Sequence, residues 1–212
     1  GVTATVLGGL KRRINPRAKD LGLYILGGKG KASYALPNQI GNVSRTHDLD
    51  EKALVKSCRM ARRIDSNAIQ DGFDLYQQYF VLSDEGEWTA IQQGLNKDNR
   101  RARRYHWHSP EVRSFISDPH RGIAGIEDQS ILNLVDGDAG GLQHHMVALT
   151  REKPGDLADV IRDSDLPDRH DVRKDDINMA RLASVLDLAY NRDIEKFEDL
   201  VDLHGVGPVS YT

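Results

Sequence analysis

The spacing of apolar and polar residues predicts both strands and helices in this chain. Residues 2–7 are largely apolar and fit either a strand or a short helix, whereas residues 21–26 favour a strand. From Leu54 onward apolar residues recur about every 3.6 positions, the period of a helix. We expect this helix to begin at Asp48 or Asp50, whose side chains suit an N-cap, and to run to about residue 70.

Two segments of alternating character, residues 75–82 and 88–95, predict a β-hairpin around a polar turn. With Gln78 placed opposite Gln93, each face of the hairpin has an apolar end near the turn and an amide-rich end away from it. Glutamine amides suit base edges or the orientation of a water, and they equally satisfy backbone groups in a sheet. Four glutamines gather at that end: Gln77, Gln78, Gln92 and Gln93.

The second half of the chain completes the predicted architecture. A strand is expected at residues 131–135 and a helix at residues 142–149. Residues 153–175 are rich in Asp, Pro and Gly and hold little core material, which is typical of a linker. The fold class is therefore α+β, with a mixed sheet-containing body and flanking helices over residues 1–152. After the linker, residues 176–212 form a helical segment.

Composition excludes several classes of protein. The chain has 212 residues, of which 39% are hydrophobic and 29% charged, and its formal net charge is −3. A membrane span needs about 20 consecutive apolar residues, and the longest apolar stretches here are much shorter. The single cysteine, Cys58, excludes an internal disulfide and a zinc site of paired cysteines, so we expect a cytoplasmic protein.

Charge is distributed unevenly along the chain. Residues 1–32 hold seven cations and one acid, and residues 94–122 hold seven cations and three acids, whereas residues 156–202 are acidic. Arg103 and Arg104 directly precede aromatic residues, a combination typical of nucleic-acid contacts. We therefore expect both to bind phosphate. The alternative is that the basic and acidic segments form surfaces that attract each other, or simple solvated faces.

A glycine-rich segment at residues 27–31 follows the first predicted strand. Flexible backbone beside Lys29 predicts a phosphate cradle. It is not a P-loop, because Lys31 is followed by Ala32 instead of the Ser or Thr that would bind magnesium. A tight turn that uses the positive φ open to glycine is the alternative.

Asp65 falls on the apolar stripe of the predicted helix, seven residues after Cys58. A carboxylate that faces a core must be paired, bound to a metal or functional, because burying it alone is costly. A structural ion pair is the favoured interpretation, since cations occupy the neighbouring stripe: Lys52, Lys56, Arg59 and Arg63.

Three histidines are candidates for chemistry. His106 and His108 point to the same side if their segment is extended, and His120 adds a third imidazole. They suit a general acid/base pair or a metal site. The alternative is that they are surface histidines beside a helix end.

Residues 203–208 match the hairpin of a helix-hairpin-helix motif. Gly205 and Gly207 allow backbone geometry that other residues avoid, and Val206 fills the space between two helices. Backbone N–H groups at the start of the second helix then face a phosphate oxygen, so the motif predicts contact with the DNA backbone and not with a base sequence. Only four residues follow Pro208, so the motif is truncated. An ordinary helix connection is the alternative.

Several short sequence segments, among them the glycine-rich segment and the C-terminal hairpin, together resemble the family called domain of unknown function 763, found in archaea and bacteria. The resemblance implies DNA association through the hairpin, and the family looks longer than this chain at both ends, so part of a site is expected to be absent. It brings no activity with it. The blocks that carry it are residues 27–31, 65–67, 70–72, Trp88, 92–94, 102–107, 119–120 and 205–208.

These observations favour a DNA-binding protein that acts in DNA processing or repair. In the catalytic hypothesis it is a metal-dependent nuclease, in which Asp71 and Asp65 hold Mg²⁺ or Mn²⁺ and His106 and Gln93 assist the reaction. The alternatives are a base-excision enzyme, a non-catalytic DNA-binding module, and a small-molecule enzyme that binds phosphate at the glycine-rich segment.

Overall fold

The computed structural model describes residues 2–97, 99–125, 131–163 and 178–206. These residues form two compact units. The body predicted over residues 1–152 contributes to both. The first unit takes the described parts of Gly1–Asp65, Phe73–Phe115 and Pro119–Glu127, and the second takes those of Ser66–Gly72, Ile116–Asp118 and Asp128–Thr212.

The first unit is built on a five-stranded sheet. Its strands are β1 (Leu23–Lys29), β3 (Asp74–Ser83), β4 (Trp88–Leu95), β5 (Ala102–His108) and β6 (Gly122–Ala124). Each pairs antiparallel with the next in that order. The helices of this unit are α1 (Val2–Ile14), α2 (Ala18–Leu21), α3 (Lys31–Tyr34), α4 (Leu36–His47) and α5 (Glu51–Arg63).

The register of the sheet defines two faces, because residues directly opposed on antiparallel strands point to the same side. Gln78 lies opposite Gln92, which in turn lies opposite Tyr105. Trp107, two residues farther along β5, points to the same side and is fully buried. This side is called the Asp65 face, after the carboxylate that contacts it.

The other side is called the helix α1 face. Gln77 and Gln93 are opposed there. Farther along the sheet, Tyr79 and Ile25 form a buried cluster with Leu7 of α1. Residues 2–7 are part of helix α1. The sequence was compatible with either a strand or a helix there.

The predicted hairpin forms as β3 and β4, but the predicted pairing is wrong by one residue. Gln78 pairs with Gln92 and not with Gln93. The turn explains the difference, because the N–H of Ser83 donates to the carbonyl of Glu87 at 2.9 Å. A shift of one residue moves every side chain of a strand to the other face relative to its neighbour, so the predicted faces were wrong as well.

Helix α5 begins as predicted. The side chain of Asp50 accepts the N–H of Ala53 at 2.9 Å and so caps the helix. The helix ends at Arg63, earlier than predicted, because a π-helical turn follows at Ile64–Ala68 and carries Asp65. Turns of this wide kind are frequent at functional sites.

The described residues of the second unit form a small sheet and four α-helices. Strands β2 (Ile69–Gln70) and β7 (Leu132–Asn133) pair antiparallel. Gln143 is buried and donates to the carbonyls of Ile116 and Leu134, both at 2.7 Å. The helices are α6 (Gly140–Leu149), α7 (Pro154–Asp163), α8 (Met179–Asn191) and α9 (Phe197–Val201).

The first part of the predicted linker is helical, which corrects the sequence prediction. Pro154 opens α7, where a missing N–H costs nothing, and Asp156 in the first turn suits the positive end of the helix dipole. Residues 164–175 of the predicted linker lie outside the described residues.

The predicted α+β class is confirmed by the antiparallel sheet with its flanking helices. The helical C-terminal segment is present as α8 and α9. Gly207 and the residues after it lie outside the described part, so the truncated helix-hairpin-helix stays a prediction. Among the described residues no helix combines the length and the apolar character that crossing a membrane requires.

Candidate functional site

Three side chains of the first unit meet at the carboxylate of Asp65 and form with it what is called the Asp65 cluster. Asp65 is fully buried. Gln92 Nε2 donates to Oδ2 at 2.6 Å, and His120 Nε2 lies 2.6 Å from Oδ1. The indole N–H of Trp107 donates to both oxygens, at 3.1 and 3.2 Å. The carboxylate is therefore paired, which is one of the three possibilities that the sequence left open, and one of its partners is an imidazole.

The donors around Asp65 match an ionised carboxylate, which only accepts hydrogen bonds and has about four lone-pair positions on its two oxygens. The contacts of Gln92, His120 and Trp107 occupy two positions on each oxygen. The role of Asp65 as a ligand to Mg²⁺ or Mn²⁺ stays a prediction, and it requires at least one of these donors to turn away.

A cleft of about 160 Å³ opens in the same unit, with two cations on its wall. The ammonium of Lys29 lies 5.6 Å from the centre of the Tyr76 ring, and the guanidinium of Arg62 lies 4.9 Å from that of Tyr34. Both distances fit a cation over an aromatic face. Among the described residues that line the cleft there is no acid, so its charged side chains are positive.

Two amides from the Asp65 face also line the cleft, Gln78 and Gln92. Gln92 is fully buried, and its Oε1 has no hydrogen-bond partner among the described residues. Gln78 Nε2 donates to the carbonyl of Cys58 at 3.1 Å. Burial raises the pKa of the Cys58 thiol to about 12, so the thiol stays neutral and adds no negative charge beside the cleft.

The sequence matches the family model described as "Protein of unknown function (DUF763)" over residues 1–211. The chain belongs to the DUF763 family. Comparisons with curated proteins and with solved structures gave no match. The family description states no activity, so a function for this DUF763 protein has to be argued from its own side chains.

The glycine-rich segment of the DUF763 chain is the end of β1 and the start of α3. Gly27 has a φ of +80°, and a Cβ there would clash with the carbonyl oxygen of Gln78. Gly30 has φ 56° and ψ −127°, a conformation that is essentially confined to glycine. Lys29, between them, lines the cleft, and its role in binding phosphate stays a prediction.

Three predicted residues share the helix α1 face. Gln93 lies opposite Arg104, and His106 follows two residues later on the same side. Gln93 Oε1 and His106 Nε2 are buried without a partner among the described residues. Burial, and then the charge of Arg104, lower the pKa of His106, so the imidazole is neutral at pH 7. The sheet separates these residues from Asp65, so the predicted catalytic and metal-binding residues of the first unit do not form one site.

The three histidines are also divided by the sheet. His108 shares the helix α1 face with His106, as predicted, and its Nδ1 lies 3.1 Å from Thr89 Oγ1. His120 instead belongs to the Asp65 cluster. No group of three or more His, Cys, Asp or Glu in the described ranges is arranged to hold a metal ion.

The two adjacent arginines differ in exposure because neighbouring residues on a strand face opposite sides. Arg103 is 3% exposed, with its guanidinium 4.6 Å from the centre of the Phe73 ring. Arg104 is exposed and lies 3.3 Å from the hydroxyl of Thr3. Arg104 can therefore meet a polyanion directly, whereas Arg103 is buried beside the Phe73 ring, and phosphate binding by either arginine stays a prediction.

Two further predictions concern the second unit. Asp71 is half-buried there, and its roles in catalysis and metal binding stay predictions. At the hairpin, Gly205 has a φ of +91° and the N–H of Val206 donates to the carbonyl of Leu203. Gly207 lies outside the described residues, so the phosphate contact predicted for residues 205–207 is still a prediction.

Sequence reasoning missed Gln92 and Trp107 as partners of Asp65. The aromatic residues after Arg104 were predicted to contact nucleic acid, although the alternation of Tyr105 and Trp107 with polar neighbours is the signal of a half-buried strand. No local signal connects Gln92 to Asp65, because the contact joins a residue of β4 to the π-helical turn, 27 positions away in the chain.

Proposed function

We propose that this DUF763 protein binds DNA in DNA processing and that its cleft takes one nucleotide of a strand. The observation that carries the proposal is the wall of the cleft, where Lys29 and Arg62 each lie against a tyrosine ring. Ammonium and guanidinium groups bind phosphate oxygens, and aromatic rings stack on bases of any sequence.

The volume of the cleft favours one unstacked nucleotide as its occupant and is too small for a base-paired duplex. A protein cavity of about 150 Å³ holds one benzene ring, so 160 Å³ accommodates one ring system. A base must leave its stack to enter, which is least costly in a single strand or at a strand end. The proposal therefore favours single-stranded DNA over double-stranded DNA.

The test is a titration of fluorescently labelled single- and double-stranded oligonucleotides, followed by anisotropy at several salt concentrations. We expect tighter binding of the single strand. Changing Lys29→Met or Arg62→Met is expected to lower the slope of log affinity against log salt by about 1 each, because each change removes one phosphate contact.

Arg45→Met is the matched control. Arg45 is an exposed cation that pairs with Glu51 at 2.8 Å, and it does not line the cleft. Its variant should bind DNA like the parent. Equal losses in all three variants would assign the binding to general charge and remove the cleft from the proposal.

We extend the proposal to strand cleavage with Mg²⁺ or Mn²⁺, with Asp71 as a metal ligand. The same oligonucleotides are incubated with each cation and the products separated by size. Cleavage by the parent that is lost in Asp71→Ala, with binding retained, supports the nuclease. Binding without product under any cation leaves a non-catalytic DNA-binding protein.

A second candidate function is supported by the size of the cleft, which also suits a free mononucleotide. Ligands that bind only the folded state stabilise it and raise the melting temperature, by an amount that grows with the logarithm of the ligand concentration above the Kd. If mononucleotides raise the melting temperature while DNA gives no anisotropy change, the protein acts on a small phosphorylated molecule and the DNA proposal is wrong.

A further inference from the structure

The orientation of the Gln92 amide is set by the chemistry of its partner. The NH₂ group of Gln92 faces Asp65 and donates to Oδ2 at 2.6 Å, which is the orientation that an accepting carboxylate oxygen requires. The carbonyl oxygen Oε1 then points away from Asp65. It is buried and has no partner among the described residues, and Gln92 lines the cleft.

On the neighbouring strand, the NH₂ group of Gln78 is likewise directed into the protein. Its NH₂ group faces the backbone carbonyl of Cys58, which is also only an acceptor, so its own Oε1 is turned away from Cys58. Gln78 and Gln92 are directly opposed in the sheet. Side chains at opposed positions are neighbours, so the floor of the cleft combines two amides whose donors are already directed into the protein.

A buried acceptor without a donor is unfavourable, so the expected partner is a donor that enters through the cleft. The exocyclic amino group of adenine or cytosine supplies two N–H donors on one nitrogen. Hypoxanthine and uracil carry a carbonyl oxygen at the same place, which would face the amide oxygens without a hydrogen between them.

We infer that the cleft selects nucleotides whose base carries an exocyclic amino group over those that carry an oxo group there. The inference rests on the proposed function, because it assumes that a nucleotide occupies the cleft. Lys29 and Arg62 bind the phosphate. Gln92, which is oriented by Asp65, accepts a hydrogen bond from the amino group through Oε1. Asp65 acts here as a positioning residue.

The experiment compares nucleotides that differ only in this group. AMP is titrated against IMP, and CMP against UMP, by isothermal calorimetry with the full chain in one buffer. The same comparison is made by anisotropy with short homopolymers of deoxyadenosine and deoxyinosine. We expect the amino form to bind more tightly by roughly 5- to 150-fold, the range of one good base contact.

Two variants separate the base contact from the phosphate contact. Gln92→Met keeps the side-chain length but removes the amide, so the ratio of AMP to IMP affinity should fall towards one. Lys29→Met should weaken AMP and IMP by the same factor and leave their ratio unchanged. Circular dichroism checks that each variant is folded, and the comparison on the parent protein needs no variant.

The outcomes distinguish the inference from the function beneath it. Equal affinity for amino and oxo forms, or tighter binding of the oxo forms, overturns the inference while nucleotide binding itself stands. If neither the mononucleotides nor the homopolymers bind, the proposed function is wrong and the inference is wrong with it.

Discussion

Two pairs of glutamines occupy neighbouring positions on β3 and β4, face opposite sides of the sheet, and differ in what they contact. Gln78 and Gln92 donate to acceptors from α5 and the π-helical turn. Gln77 and Gln93 are also more than nine-tenths buried, yet Gln93 Oε1 and both amide atoms of Gln77 have no partner among the described residues.

The difference lies in the element that covers each face. Helix α5 and the turn after it bring the backbone carbonyl of Cys58 and the carboxylate of Asp65 to the Asp65 face, whereas α1 packs through apolar residues such as Leu7. On the Asp65 face both glutamines have matched donors, although Gln92 Oε1 lacks a partner among the described residues. On the helix α1 face both amide atoms of Gln77 and Oε1 of Gln93 lack a partner among those residues. The number of glutamines in a hairpin therefore does not locate a site. The groups that the covering helix or turn places against those glutamines locate it.

The largest expected effect comes from removing the centre of the matched face. Asp65→Ala leaves the donors of Gln92, Trp107 and His120 without their acceptor in a buried place. We expect the free energy of unfolding to fall by roughly 3–5 kcal/mol, measured by urea denaturation.

Asp74→Ala is the control for loss of a carboxylate. Asp74 pairs with Lys97 at 3.0 Å, but its side chain is 72% exposed, so the expected change is only about 0–1 kcal/mol. Similar losses in Asp65→Ala and Asp74→Ala would show that the buried cluster contributes little to stability.

Replacing one glutamine by methionine on each face should change the free energy of unfolding in different ways. Gln92→Met removes a donor from a buried carboxylate and should lower the free energy of unfolding by roughly 1–3 kcal/mol. Gln77→Met removes amide atoms that have no partner in the described part of the chain, so stability should stay the same or rise. Urea denaturation of both variants decides; a loss of equal size in Gln77→Met would mean that its amide is satisfied after all.

The smallest expected effect concerns His106 on the helix α1 face. Its folded-state pKa is lowered from 6.5, so just below that value the unfolded chain binds more protons than the folded chain. Stability from this group is therefore present near neutral pH and is lost as the pH falls through about 6.5. In His106→Asn this contribution is absent.

The measurement is the urea midpoint of parent and His106→Asn at several pH values between about 5.5 and 7.5. The midpoint of the variant should fall less on acidification than that of the parent. His144→Asn, which removes an exposed histidine of α6, is the control for loss of an imidazole as such. Parallel curves for parent and His106→Asn contradict the prediction.

Local signals predicted much of the fold. The Asp50 cap, the hairpin and the extended segment of β5 each depend on a few neighbouring residues, and all three are present. The pairing register was wrong by one because it depends on how the turn closes between Ser83 and Glu87. Helix α4 was not predicted at all.

The candidate site was predicted only in part. Asp65 stood out because a charge on an apolar stripe needs a partner, and Lys29 because it lies beside glycines. The partners of Asp65 come from β4, β5 and the segment before β6, far along the chain. Such contacts follow from strand pairing and a helix end, so the sequence alone could name the acid but not what surrounds it.

Gly27 and Gly30, which lie on either side of Gly28 and Lys29, have a consequence for comparing members of this family between species. Gly27 is demanded by its neighbour's carbonyl and Gly30 by its backbone angles, so both should persist in relatives whether or not a ligand binds beside them. Conservation of these two glycines would therefore reflect the steric requirements of the backbone at this edge of the sheet, and not the binding of a ligand. Lys29 lies between them, and conservation at this position is what would indicate a bound ligand.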